Sequence, residues 1–276
     1  MMDFTGIFSY SFVQRALLTG VLIAVVCSVV GVFLVLRRLS LIGDGLAHVT
    51  FGSVAVVLLI GMAPVYVTLA ALPLVMLSSL IILQLIRSKR IHGDAAIGIV
   101  SSVGIALGVI LVSLSGGYNA DLLSYLFGNI LMVTQTEMFL SLIIFLIVAA
   151  FVVIYYPELF AVTFDEEMAK TMGIKTKLIN VVLLLLTAAT VVLAMKVAGI
   201  MLVSAMLILP PITALQLSLD FRMTILASIS LAVLAVFSGI ITSFVLNLPT
   251  GGTIVMFNAF LLLVVFSAKK ALQVRR

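Results

Sequence analysis

The stretch Leu17-Leu18-Thr19-Gly20-Val21-Leu22-Ile23-Ala24-Val25-Val26-Cys27-Ser28-Val29-Val30-Gly31-Val32-Phe33-Leu34-Val35-Leu36, closed by Arg37-Arg38, decides the fold class. It carries no charge, and as an α-helix it rises about 30 Å, the thickness of a bilayer's hydrocarbon core. Outward from it the pattern repeats, with candidate spans at about 14–36, 40–60, 64–86, 95–115, 132–155, 178–198, 200–218, 223–246 and 253–272. Hydrophobic residues fill 64% of the 276 positions and charged residues 9%, more apolar surface than one soluble core can hide. The expected fold is therefore all-α and polytopic, one transmembrane domain over residues 1–276 with about nine helices. Spans six and seven are separated only by Lys196-Val197-Ala198-Gly199, so eight full spans with one re-entrant segment is the alternative.

The basic residues fix an orientation. Arg37, Arg38, Arg87, Lys89, Arg90, Lys170, Lys175, Lys177, Arg222, Lys269, Lys270, Arg275 and Arg276 fall on one side of these spans, and only Arg15 and Lys196 on the other. The positive-inside rule makes the richer side cytoplasmic, with the N-terminus outside and the C-terminus inside. Topology thus accounts for the net charge of +5, and no nucleic-acid partner is expected. No small-residue cleavage site follows a short apolar stretch, so no cleavable leader is expected. Cys27 stands alone, which excludes an internal disulfide and a thiolate-rich zinc site.

Against this background Gly43-Asp44-Gly45-Leu46-Ala47-His48 stands out. Asp44 is the one carboxylate deep within the apolar segments, and a spacing of four puts His48 on the same helical face. An ionisable group at membrane depth is costly and by default functional. Counting from Arg38, His48 lies roughly 15 Å into the core and Asp44 about one turn shallower. Carboxylate oxygen plus imidazole nitrogen begins a divalent-metal site, and Gly43, Gly45, Ala47 and Gly52 leave room for a backbone or an ion to approach. The bland alternative is a buried Asp–His hydrogen bond joining helices. Zinc takes about four ligands and manganese more oxygens, so water, other side chains or the same pair from a second subunit must complete the set.

Other polar residues carry less. His92 sits in the basic run Arg87-Ser88-Lys89-Arg90-Ile91-His92 and reads as a solvated loop residue, while Asp94 is placed to cap the next helix. Asp121 and Glu137, flanking the external polar stretch 116–121, read as exposed acids with little claim on a cation. The thirteen methionines read as packing among Leu, Ile and Val. In the cytoplasmic interruption, residues 163–174 spell a short helix: acidic Asp165, Glu166 and Glu167 precede Lys170, and Gly173 ends the turn. Phe164, Met168, Ala169 and Met172 form an apolar side that either docks into a partner's groove or lies on membrane lipid. Pro210-Pro211 removes two amides inside the seventh span and predicts a break or kink there.

No Gly-rich phosphate loop ending in Gly-Lys-Ser/Thr occurs, no Ser/His/Asp set is persuasive, and no His-Glu-x-x-His motif is present. The chain is therefore not expected to be an enzyme, and ATP chemistry, if used, belongs to another polypeptide. Taken together, Arg37 through His48, Asp121-Leu122-Leu123-Ser124-Tyr125-Leu126-Phe127-Gly128-Asn129, Phe164-Asp165-Glu166-Glu167, Gly199 through Pro211 and Pro249-Thr250-Gly251-Gly252-Thr253 resemble the permease of the zinc/manganese/iron group of ATP-binding-cassette importers. The resemblance covers almost the whole chain.

That resemblance implies a homodimeric, multi-pass permease of a bacterial plasma membrane, with two cytoplasmic ATPase subunits and an extracellular metal-binding protein. It assigns metal handling to Asp44 and His48, and coupling to the ATPase to Phe164, Asp165, Glu166, Glu167, Met168 and Gly173. No permanently bound cofactor is implied, only a transported divalent metal. Gly45 and Ala47 resemble the zinc branch, where manganese-type relatives more often carry Ala and Ser, so zinc is the expected ion and manganese or iron the alternative. An ion-coupled secondary transporter using the same pair for protons is the reading from a different class, and an intramembrane metalloenzyme a further one.

Overall fold

A computed structural model describes residues 11–62, 64–88, 91–114 and 133–274. The described residues form ten helices and no strand: α1 (Ser11–Leu36), α2 (Ile42–Leu59), α3 (Pro64–Arg87), α4 (Gly93–Leu114), α5 (Gln135–Ile154), α6 (Tyr156–Phe164), α7 (Glu166–Thr171), α8 (Thr176–Gln216), α9 (Phe221–Leu246) and α10 (Thr250–Val274). Eight of these are long and apolar enough to cross a membrane. With no solvent available to backbone groups in hydrocarbon, helices satisfy them internally. Helical hydroxyls follow the same rule: Thr50, Thr187 and Thr213 each donate to the carbonyl one turn back at 2.7 Å.

α8 reconciles the eight-span and nine-span readings. Its 41 residues would reach about 60 Å if straight, twice the core thickness. Gly199, at φ 79° and ψ 166°, breaks it into arms 176–198 and 200–216. At the start of the first arm, Arg37 Nη2 donates to Asn180 Oδ1 at 2.7 Å and Arg87 Nη2 to the Lys177 carbonyl at 3.3 Å. Just past the end of the second, Lys269 Nζ donates to Ser218 Oγ and Phe221 packs on Phe33 and Phe164. Both ends of α8 therefore lie at the same end of the bundle, while Lys196, beside the break, pairs with Glu137 at the opposite end. The expected sixth and seventh spans are the two arms of one hairpin. The described basic residues sort between the two ends as the sequence divides them.

The break falls at Gly199 and not, as the sequence predicts, at Pro210-Pro211, which continue the helix. Pro211 frees the Leu207 carbonyl from its usual partner. That carbonyl lies against Gly31 of α1, where a Cβ would collide with it and with the Pro211 ring. A missing side chain on a neighbour thus makes room for the proline turn.

α1 and α8 form the buried centre, with Phe33, Leu34, Leu183, Met195, Met206 and Leu207 all under 2% exposed. α2 lies between α4 and the second arm of α8. Gly43 meets Leu207, Gly45 meets Ile97, and Gly52 meets the Gly104 backbone directly. Large apolar side chains such as Leu77, Ile110, Leu146 and Phe260 remain outward on α3, α4, α5 and α10, as lipid contact requires.

The segment 163–174 is not one helix. α6 runs to Phe164, Asp165 is extended at φ −149° and ψ 98°, and α7 starts at Glu166. The Asp165 carboxylate accepts the Met168 amide at 2.9 Å, so the residue expected inside a first turn is the cap before it. Gly173, at φ 83°, ends α7 with its amide on the Lys170 carbonyl and that of Ile174 on Ala169. The helix terminator expected at Gly173 is present. Asp94, expected as a flanking cap, lies inside the first turn of α4, where its charge faces the exposed amides.

Candidate functional site

Asp44 occupies the first turn of α2 and His48 the next, so helix geometry alone brings the pair together. His48 Nε2 stands 3.4 Å from Asp44 Oδ2. That is long for a hydrogen bond. It matches the separation of two donors that sit about 2.1 Å from a common metal ion, roughly 3.0–3.4 Å for bond angles between octahedral and tetrahedral. The other carboxylate oxygen is held from elsewhere: Ser204 Oγ, on the second arm of α8, donates to Asp44 Oδ1 at 3.2 Å. The same hydroxyl reaches its own helix at the Ile200 carbonyl, 3.4 Å away. Asp44 is 48% exposed and His48 26%, so the pair is not sealed in the core of the chain.

Among the described residues no group of three or more His, Cys, Asp and Glu lies close enough to hold an ion. One chain therefore offers a carboxylate, an imidazole and a hydroxyl, fewer ligands than a closed structural zinc site needs. The small residues around the pair are taken up by packing. Gly45 abuts α4 and Ala47 is fully buried, so their form reports helix contacts and not ligand chemistry.

Glu137 differs from its sequence reading as an exposed loop acid. It is 12% exposed, pairs with Lys196 at 2.7 Å, and completes a reciprocal capping box with Thr134. A carboxylate so engaged does not receive a passing cation. Asp121 and the motif 121–129 lie outside the described residues. His92 is exposed and its carbonyl accepts the Ala96 amide at the start of α4.

At the basic end, α6, α7 and the start of α9 enclose an apolar groove of about 910 Å³. Phe160, Phe164 and Phe221 stack within it at centroid distances of 4.8–5.7 Å, and Arg222 covers the Tyr156 ring. Phe164, Met168 and Met172 are 59–69% exposed, whereas Ala169 turns inward. Glu166 Oε2 lies 3.7 Å from Arg37, and Lys170 bonds Glu167 at 2.8 Å. That bond, helped by Glu166, holds the Lys170 ammonium above its ordinary range. Burial draws the Arg37 guanidinium below its usual value, opposed by Glu166 and reinforced by Arg87. Gly173 and Asp165 frame α7 and line no metal site.

No local motif in the sequence marks Ser204 or Arg37 as a site residue. Asn180 is the one side-chain amide of its arm and is marked by that, whereas Ser204 shares its arm with Thr213 and carries no local signal.

Comparison with known proteins places the chain among membrane transporters. The sequence model of the ABC 3 transport family matches residues 9–269. The chain is 37% identical over 273 residues to the manganese transport system membrane protein MntC of Listeria monocytogenes, covering 95% of this chain and 94% of that protein. It is 34% identical to the manganese import system permease protein ScaB of Streptococcus gordonii, covering 95% and 92%. Its fold superposes on a chain of PsaBC from Streptococcus pneumoniae in complex with Fab with a TM-score of 0.85, at 30% identity and covering 99% and 98%. None of these names carries zinc.

Proposed function

The chain belongs to the ABC 3 transport family, and on that premise we propose that it is the permease subunit of an importer that moves manganese(II) into the cytoplasm. The observation that carries the reading is the Asp44, His48 and Ser204 cluster in a chain whose similar proteins are named for manganese transport. Oxygen-rich donors with one imidazole and no thiolate suit manganese better than a closed zinc site does. The zinc expectation rested on Gly45 and Ala47, and the packing of both residues leaves it without a ligand argument.

Residues 1–276 act as one permease domain, N-terminus outside and C-terminus inside, with 163–174 as the coupling segment. A second copy completes the metal station. Two chains bring two carboxylates and two imidazoles, and water fills the rest of the oxygen-rich shell that manganese favours. An extracellular binding protein releases the ion to the outward-open dimer, where the half-exposed carboxylates take it loosely. Phe164, Met168 and their neighbours in the apolar groove dock on a cytoplasmic ATPase, whose closure moves α7 and reopens the path inward. ATP is hydrolysed on that partner.

Reconstitution with the ATPase and binding protein, followed by competition among manganese, zinc and iron, tests the reading. ATP-dependent uptake with manganese preferred is expected. Uptake that persists without the ATPase overturns it in favour of an ion-coupled carrier, and zinc preferred over manganese overturns the ion assignment.

A further inference from the structure

One partly buried arginine joins three elements at the basic end of the bundle. Arg37 follows α1 with its side chain only 13% exposed, while the adjacent Arg38 is exposed. A topology signal needs charge at the interface and nothing more, and Arg38 provides it. Burying a guanidinium is costly unless its donors are used, so the placement of Arg37 calls for a further reason.

Its partners supply one. Nη2 donates to Asn180 Oδ1 at 2.7 Å, and Asn180 is 3% exposed in the first arm of α8. The same nitrogen lies 3.7 Å from Glu166 Oε2 on α7. Arg87, at the end of α3, stands close enough to repel it and is itself tied to the Lys177 carbonyl. On the backbone side, Arg37 enters a tight turn. Arg38 is left-handed at φ 58°, its amide bonds the Val35 carbonyl, Leu39 N bonds Leu34 O, and Ile42 N bonds Leu39 O. This turn leaves no slack between Arg37 and the first residue of α2, and Asp44 lies in the first turn of that helix.

We infer that Arg37 is a positioning residue of the transport cycle: it joins α7, where the ATPase acts, to α8 and to the helix that carries Asp44. This rests on the permease reading. A shift of α7 carries Glu166 with it. Because Arg37 is held by Asn180 as well, the shift is delivered to the α1–α2 turn and to the hairpin that bears Ser204. Both partners of the Asp44 carboxylate, its own helix and Ser204, thus answer to one guanidinium.

The test uses proteoliposomes holding this chain with its ATPase and binding protein, with Mn²⁺ as probe. The readouts are Mn²⁺ taken up per ATP hydrolysed and recovery of the ATPase with the chain. Arg37→Gln is expected to lower the ratio about three- to tenfold while the ATPase still copurifies. Arg37→Lys, which keeps the charge but not the fork, should recover part of it. Arg37→Glu combined with Glu166→Arg should exceed either single change. Should Arg37→Gln fold poorly, Glu166→Gln and Asn180→Leu alter its partners alone, and each should lower the ratio. A wild-type ratio in Arg37→Gln, or in both partner variants, overturns the inference, as does a loss matched by lost ATPase. Absence of ATP-driven Mn²⁺ uptake by the wild-type assembly overturns the permease reading itself, which the variants cannot do.

Discussion

Replacing Gly199 by alanine perturbs the hinge on which the α8 hairpin turns, and the structure sets the size of the effect. At φ 79° and ψ 166° the residue occupies a region open in practice only to glycine, and a Cβ there costs about 1–3 kcal/mol. The flanking Ala198 and Ile200 are buried, so the strain has little room to relax. With about 2–4 °C of Tm per kcal/mol for a domain of comparable size, Gly199→Ala should melt roughly 2–12 °C below wild type in detergent. Gly98 supplies the control. It sits inside α4 with ordinary helical backbone and open space where a Cβ would go. Gly98→Ala should be neutral or raise stability by up to about 1 kcal/mol. Because the second arm carries Ser204, Gly199→Ala should also slow metal uptake in well-folded material, and Gly98→Ala should not. Equal melting of the two variants, or wild-type uptake by Gly199→Ala, would refute the hinge.

Three further outcomes follow from the same geometry. Asp44→Asn and His48→Ala should each lower manganese uptake about tenfold or more with assembly intact, and Ser204→Ala somewhat less because it orients Asp44 without carrying charge. Normal uptake in well-expressed Asp44→Asn and His48→Ala would remove the site. Gly52→Ala drives a methyl into the Gly104 backbone and should cost about 1–3 kcal/mol, read as a lower Tm. Lys196→Met strands the Glu137 carboxylate and should lower Tm by more than Lys196→Met combined with Glu137→Gln, which removes the charge and leaves acceptors for the capping box. A double variant no more stable than Lys196→Met would mean the pair is not what holds α5 to the hairpin tip.

Much of the architecture was legible because hydrocarbon leaves a chain so few choices. Uncharged runs of membrane length had to be helices, and the split of basic residues gave the alternation of the segments, including the doubling back of α8. The hinge was less legible. Two prolines are the louder signal, yet their effect was absorbed by space at Gly31, on another helix and far along the chain. The short helix at the basic end was visible in its charge order, but Asp165 reads as its first turn when its side chain serves as the cap.

The Asp44–His48 pair was legible for the same reason that its completion was not. A spacing of four residues is local, and helix geometry converts it to a contact without further information. Ser204 lies 160 residues away and Asn180 lies 143 residues from Arg37, and only the folded bundle brings such pairs together. The long-range contacts also redirect the meaning of the motif. Gly45 and Ala47 look like part of an ion-selective signature, but Gly45 abuts Ile97 and Ala47 is fully buried. On the proposed reading, selectivity then has to come from the exposed donors: one carboxylate fixed at one oxygen by Ser204, and one imidazole too far from the other oxygen to bond it well. In that proposed role, such a set holds an ion weakly within a single chain and more strongly when a second copy adds its own. A permease working as proposed needs that dependence, since separating the two halves is then enough to let the ion go.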